Sequence, residues 1–155
     1  MDKREFAEQV EAVKQQLYKT AYLYLHNEAS ALEAVDESIY KALKSLKTLR
    51  QPEYFTTWLT RILINECKKE LKRLSRVSPA EYLPFEEGED AAYDALPLKE
   101  AIGRLPEELR AVVILRYFSG YTLAETAETL GIPQGTVVTR QRRALALLKL
   151  DLEEA

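Results

Sequence analysis

Apolar residues recur at every third or fourth position through most of the chain and hardly alternate anywhere, the pattern of amphipathic helices rather than strands. The first predicted helix covers about residues 4–25, with Phe6, Val10, Val13, Leu17 and Ala21 on one face. The segment from His26 to Ala29 breaks it. Ser30 with Glu33 three residues on has the form of a capping box and predicts a second helix over about 30–46. Val35, Ile39, Ala42, Leu43 and Leu46 face inward there, while Glu33, Asp36, Glu37 and Lys41 point away. Pro52 follows a polar loop and marks a third start. The third helix, over about 53–74, turns Phe55, Trp58, Leu59, Ile62, Cys67 and Leu71 inward. Arg61, Lys68, Lys69, Lys72, Arg73 and Arg76 make it strongly basic.

The C-terminal pattern is more specific. Pro106 suits the first turn of a helix, and Glu107 and Glu108 favour its positive end. Leu109, Val112, Val113, Arg116 and Tyr117 recur at helical spacing until Gly120. Thr122 with Glu125 forms a capping box, Leu123, Ala127 and Leu130 face inward, and Gly131 suits a left-handed helix end. After Ile132 and Pro133 a last helix begins near Gln134, with Val137, Ala144, Leu145 and Leu148 on one stripe. Thr136, Thr139, Arg140, Arg142 and Arg143 lie off that stripe. A short capped helix, a glycine turn and a basic helix are ordered as in a helix-turn-helix, whose second helix enters a DNA major groove. The plainer reading is a packed three-helix unit with a solvated basic face.

Composition narrows the class. Alanine, leucine, glutamate and lysine dominate, and 46% hydrophobic residues in 155 suffice for real cores. The single cysteine, Cys67, excludes an internal disulfide and a cysteine metal cluster, and reads as a small buried hydrophobe. His26, the only histidine, reads as structural. The absence of a long apolar run predicts no membrane insertion, and the charged start MDKREF does not resemble a signal peptide, so the expected location is cytoplasmic.

The net charge of −3 conceals segregation: residues 1–40 carry −4, 41–76 carry +7, 77–109 carry −7 and 110–150 carry +4. Such blocks point to partners of defined charge at separate places. The expected fold is all-α, with two small helical domains joined by an acidic linker. An N-terminal bundle takes 1–76, the linker 77–97 and the helix-turn-helix domain 98–155. The strip with Glu81, Glu86, Glu87, Glu89, Asp90 and Asp94 is either a solvated tether or a mimic of a nucleic-acid backbone. On the third helix, aromatics early and cations late suit unpaired nucleic acid, stacking on bases and neutralising phosphates. On residues alone, core packing is the plainer account of Phe55 and Trp58, whereas Asn65 could bond a base edge.

Three segments in order carry a family resemblance: LYKTAYLYLHNEASALEAVDESIYKAL, FTTWLTRILINECKKELKR and LPEELRAVVILRYFSGYTLAETAETLGIPQGTVVTRQRRAL. Together they resemble the extracytoplasmic-function (ECF) group of bacterial RNA polymerase sigma factors over nearly the whole chain. The resemblance implies that Asp36 and Glu37, with Glu33 and Lys41 nearby, contact core RNA polymerase. It implies that the loop from Leu49 to Phe55, including Arg50 and Tyr54, pockets a flipped base of the minus-ten promoter element. Trp58, Arg61 and Asn65 would hold the melted strand, with Lys68, Lys69 and Lys72 along the same helix. Thr139 and Arg143 would touch the minus-thirty-five element, beside Thr136, Val138, Arg140 and Arg142.

Three positions depart from the family pattern. Val138 replaces a usual lysine or arginine, Gln141 a usual leucine on the buried stripe, and Pro133 a common serine cap. The resemblance further implies promoter DNA and core polymerase as partners, and an inhibitory anti-sigma protein as another. No nucleophile–base constellation, metal spacing or glycine-rich phosphate loop is present in the sequence, so no enzyme activity, cofactor, metal or small-molecule substrate is expected. The other classes compatible with these features are a helix-turn-helix regulator acting without polymerase and a helical adaptor that binds only proteins.

Overall fold

The computed structural model describes residues 1–77 and 96–154. Helix α1 spans Lys3–Leu25, opened by Asp2, whose Oδ1 accepts the Glu5 N–H at 2.8 Å. It ends at His26 in the left-handed region (φ 54°), which donates its N–H to the Tyr22 carbonyl. Helix α2, Glu28–Lys44, is capped by Asn27, whose Oδ1 accepts the Ser30 N–H at 2.8 Å. The capping box expected at Ser30 and Glu33 is therefore displaced by one turn. Ser30 is buried inside the helix, because Asn27 already satisfies the amide that needed an acceptor. α2 also stops before Leu46, which enters a 3₁₀ turn (Leu46–Thr48). Leu43, expected inward, is 39% exposed.

A second 3₁₀ turn, Pro52–Tyr54, leads into α3, Phe55–Val77. Leu63 and Ile64 join Phe55, Leu59 and Cys67 in its buried face, and Glu66 is buried with them. Helix α4, Leu96–Arg104, has no counterpart among the expected elements and starts within the strip read as linker. The acidic residues Glu81 to Asp94 lie outside the described residues.

Pro106 stands just before α5, Glu107–Val113, which widens into a π-turn, Ile114–Phe118, before Gly120 (φ 70°). α6, Leu123–Leu130, carries the predicted capping box, the Thr122 Oγ1 and Glu125 carboxylate each taking the other's N–H at 3.1 and 2.9 Å. Gly131 (φ 68°) closes it as expected. α7 is Gln134–Glu154.

Helices α1–α3 form one bundle and α4–α7 another, yet a single cluster of buried side chains runs through both, from Phe6 and Leu59 to Ile102, Ile114 and Leu148. Arg110 sits at the junction. Its guanidinium is buried and donates to the carbonyls of Tyr24 at the end of α1 and of Gly103 and Leu105 at the end of α4. The Tyr24 ring is fully buried beneath it, and the Tyr24 hydroxyl donates to Glu107 at 2.6 Å. Burial first, and that carboxylate second, raise the Tyr24 pKa far above the usual phenol value.

Two measurements check these local assignments. Asn27→Ala should cost about 1 kcal/mol in chemical unfolding, the usual worth of a side-chain N-cap, while Glu33→Ala should leave stability unchanged. Equal losses would restore the capping box at Ser30. His26 is fully buried, and desolvation, reinforced by Arg110 and Lys99, lowers its pKa from 6.5 to about 4. The unfolded chain thus binds a proton below pH 6.5 that the folded chain refuses until about pH 4. This contribution is complete above 6.5 and is lost as the pH falls toward 4, at up to about 1.4 kcal/mol per pH unit. His26→Asn, which tolerates the left-handed backbone, should flatten the stability–pH curve in that window relative to the unmodified chain.

Candidate nucleic-acid interface

Three exposed faces emerge. On α2, Glu33, Asp36 and Glu37 are exposed as expected. Leu32, Tyr40 and Leu43 share their arc at helical spacing and are 55%, 54% and 39% exposed. The face is thus acidic and apolar together, a property hidden from the sequence while Leu43 was counted as core. Lys41 does not belong to it as a free cation. Its ammonium bonds Glu66 of α3 at 2.5 Å, which raises its pKa, and Lys69 approaches the same carboxylate at 3.5 Å. Burying Glu66 leaves a carboxylate that needs a cation, and Lys41 is the residue α2 presents to it.

On α3, Arg61, Asn65, Lys68 and Lys72 fall on one exposed stripe, separated by four, three and four residues. Lys69 flanks it. Arg50 and Tyr54 are exposed on the segment just before the helix, Tyr54 by 57%. Phe55 is core: its ring is 1% exposed and meets Phe6 edge-on at 5.8 Å, which leaves no face for a base. That corrects its assignment as a strand-binding residue, since the first turn of α3 must close the bottom of the bundle. Trp58 is half-buried, packed on the core with its ring 6.0 Å from that of Phe55.

On α7, Val137, Ala144 and Leu148 form the buried seam. Leu145, expected on it, is 42% exposed, lying one residue beyond the seam. Thr139, Arg142 and Arg143 are exposed; Thr136 and Val138 are half-buried. The Thr139 hydroxyl donates back to the Gly135 carbonyl at 3.0 Å. Arg140 is partly covered and lies 3.9 Å from Glu108. With proline before the helix, the amides of Thr136 and Val137 bond the Pro133 carbonyl instead of a side-chain cap. Gln141 sits beside the seam, and its Oε1 accepts from Arg116 Nε at 2.9 Å.

The α3 and α7 faces are brought close together. α3 packs on α6, and Tyr121 donates its hydroxyl to Thr60 of α3 at 2.9 Å. Arg61 lies over the α6–α7 turn, its Nη2 3.4 Å from where a Cβ on Gly131 would stand. A cleft of about 460 Å³ runs between the two bundles, with Lys68, Lys69 and Lys72 on one wall and Arg140, Glu107 and Glu108 on the other. Among the described residues no group of histidine, cysteine and carboxylate side chains could hold a metal, and no helix is long and apolar enough to cross a membrane.

Comparison with known proteins matches residues 9–77 to the family model "Sigma-70 region 2" and residues 101–150 to "Sigma-70, region 4". The chain is 37% identical to the RNA polymerase sigma factor SigV of Bacillus subtilis over 90% of its own length and 86% of that protein. It is 32% identical to the ECF RNA polymerase sigma factor SigM of Mycobacterium tuberculosis, covering 86% of this chain and 69% of that one. In fold it resembles the sigma factor RpoE of Bartonella quintana in its complex with the anti-sigma factor NepR, with a TM-score of 0.82 at 22% identity over 97% of this chain and 98% of that one. It also resembles CnrH in complex with the cytosolic domain of CnrY, with a TM-score of 0.76 at 22% identity over 99% and 90%.

Proposed function

The chain belongs to the ECF group of RNA polymerase sigma factors, and on that premise we propose how its three faces divide the work of promoter recognition and transcription initiation. Core polymerase docks on α2 through Asp36 and Glu37, with Glu33 at the edge and Leu32, Tyr40 and Leu43 adding apolar area. The α3 stripe of Arg61, Asn65, Lys68 and Lys72, with Lys69, Arg50, Tyr54 and the exposed side of Trp58, holds the melted minus-ten strand. The α7 face of Thr139, Arg142 and Arg143, flanked by Thr136, Val138 and Arg140, enters the major groove of the minus-thirty-five element. The observation that supports this division is that exposed basic faces lie on two separate helices, one in each matched sigma region. The protein acts by binding rather than by chemistry of its own, in the cytoplasm, where the polymerase works.

Promoter reading requires the two bundles to part. Elements about 25 base pairs apart are separated by about 85 Å at 3.4 Å per pair. In the structure Arg61 touches the turn that leads into the reading helix. The chain between Val77 and Leu96 can span at most about 65 Å when fully extended, so it permits a wide separation once the domains themselves contribute their width. On this reading the arrangement with the bundles together is a closed, inactive one, and an anti-sigma protein is the partner suited to hold it.

Two experiments test the assignment. Asp36→Lys with Glu37→Lys should weaken core-polymerase binding at least ten-fold, about 1.4 kcal/mol, with unchanged helical circular dichroism, because both side chains are exposed. Unaltered affinity would move the docking face elsewhere. Asn65→Ala should lower permanganate reactivity of unpaired thymines in the open complex by an amount worth about 1–3 kcal/mol, with closed-complex binding little changed. Equal loss in both complexes would point to a defect outside strand opening.

A further inference from the structure

The buried seam of α7 is bordered by a half-buried polar residue, Gln141. Gln141 lies one turn after Val137 and, with Ala144 and Leu148, on the side of α7 away from Thr139 and Arg142. That side is turned away from the proposed DNA face, and the part of its amide taken out of water gains from a hydrogen-bond partner. Arg116, in the π-turn after α5, supplies it. Its Nε donates to Gln141 Oε1 at 2.9 Å, and its Nη1 donates to the Tyr121 carbonyl at 2.6 Å, in the turn that leads into α6. One rigid guanidinium therefore spans the end of α5, the entry to α6 and the reading helix.

We propose that Gln141 is a positioning residue for promoter reading, through which Arg116 fixes the roll and depth of α7 in the major groove. The proposal rests on the assignment of α7 as the duplex reader. An apolar contact on the seam resists separation of the helices but slides along the axis at little cost. Directional hydrogen bonds at 2.9 and 2.6 Å do not. Thr139, Arg142 and Arg143 project from the far side, so a small roll of the seam becomes a larger shift at their tips. Base-edge contacts are lost by displacements of about 1 Å, whereas phosphate contacts by flexible cations tolerate them. All three pinning groups lie within the C-terminal bundle, so the pin persists when the two bundles separate, unlike the Tyr121–Thr60 contact.

The test uses holoenzyme made with core polymerase and the full chain, titrated against a library of upstream elements at several salt concentrations. Gln141→Leu, which fits the apolar seam but accepts no hydrogen bond, should reduce discrimination between preferred and single-base-altered elements about ten-fold, within the range of one two-pronged base contact. The salt slope should not change, because the phosphate contacts remain. Gln141→Glu, which keeps the acceptor, should restore discrimination to within about two-fold of the unmodified chain. Full discrimination with leucine, or a loss with glutamate as large as with leucine, would overturn the proposal. So would a parallel fall in salt slope, which would mean general damage to the domain. If the unmodified holoenzyme itself shows no upstream preference, the assignment of α7 as the reader fails, independently of Gln141.

Discussion

A single buried guanidinium holds the two halves of this molecule in register. Arg110 donates to three carbonyls that end helices: Tyr24 for α1, Gly103 and Leu105 for α4. These are groups that a helix C-terminus leaves without internal partners, and the negative end of the helix dipole favours a cation there. The same side chain lies over the Tyr24 ring, whose hydroxyl reaches Glu107 on Arg110's own helix. Removing the guanidinium would strand three buried acceptors at once, each costly to leave unpaired. The packing of α5 and the π-turn against α1 follows from this anchor, and with it the position of the α6–α7 turn over α3.

What was legible in the sequence is what is fixed within one turn of chain. Thr122 and Glu125 are three residues apart, and Gly131 follows the last periodic leucine; both signals are local, and both hold. Ser30 and Glu33 show how a local signal misleads, because Asn27 offers the same chemistry one turn earlier and the helix starts there. Leu43 and Leu145 were misplaced for a related reason. Apolar periodicity gives a stripe of uncertain width, and which edge residue is covered depends on the neighbouring helix. Short α4 carried too little periodicity to stand out beside the acidic strip.

The site was legible in composition but not in pairing. The basic stripe of α3 and the arginines of α7 could be read directly, because solvated faces repeat at helical spacing. The partnership of Lys41 with Glu66 joins residues 25 apart, and that of Arg110 with Tyr24 joins residues 86 apart. No spacing rule reaches either. Phe55 illustrates the limit from the other side. Its family position suggested a base contact, while its contact with Phe6 makes it the floor of the bundle. Exposed Tyr54 and half-buried Trp58 are then the aromatic rings left on that side of the helix.

On the proposed reading, charge would let one set of residues serve both the joined bundles and DNA. Lys68, Lys69 and Lys72 share the interdomain cleft with Arg140, and like charges lining one cleft repel. Glu107 and Glu108 line the same cleft, Glu107 fixed by Tyr24 and Glu108 beside Arg140, so carboxylates offset the repulsion while the halves are together. These contacts are partly solvated, and salt weakens them. Phosphates outcompete two carboxylates by number, because a duplex offers one charge about every 1.7 Å along its axis. On that reading, opening would exchange a few internal carboxylate contacts for a continuous line of phosphate contacts. The Arg110 anchor makes that exchange conditional. Its bonds to Gly103 and Leu105 stay within the C-terminal bundle, whereas its bond to Tyr24 joins the two bundles and would be lost on their separation.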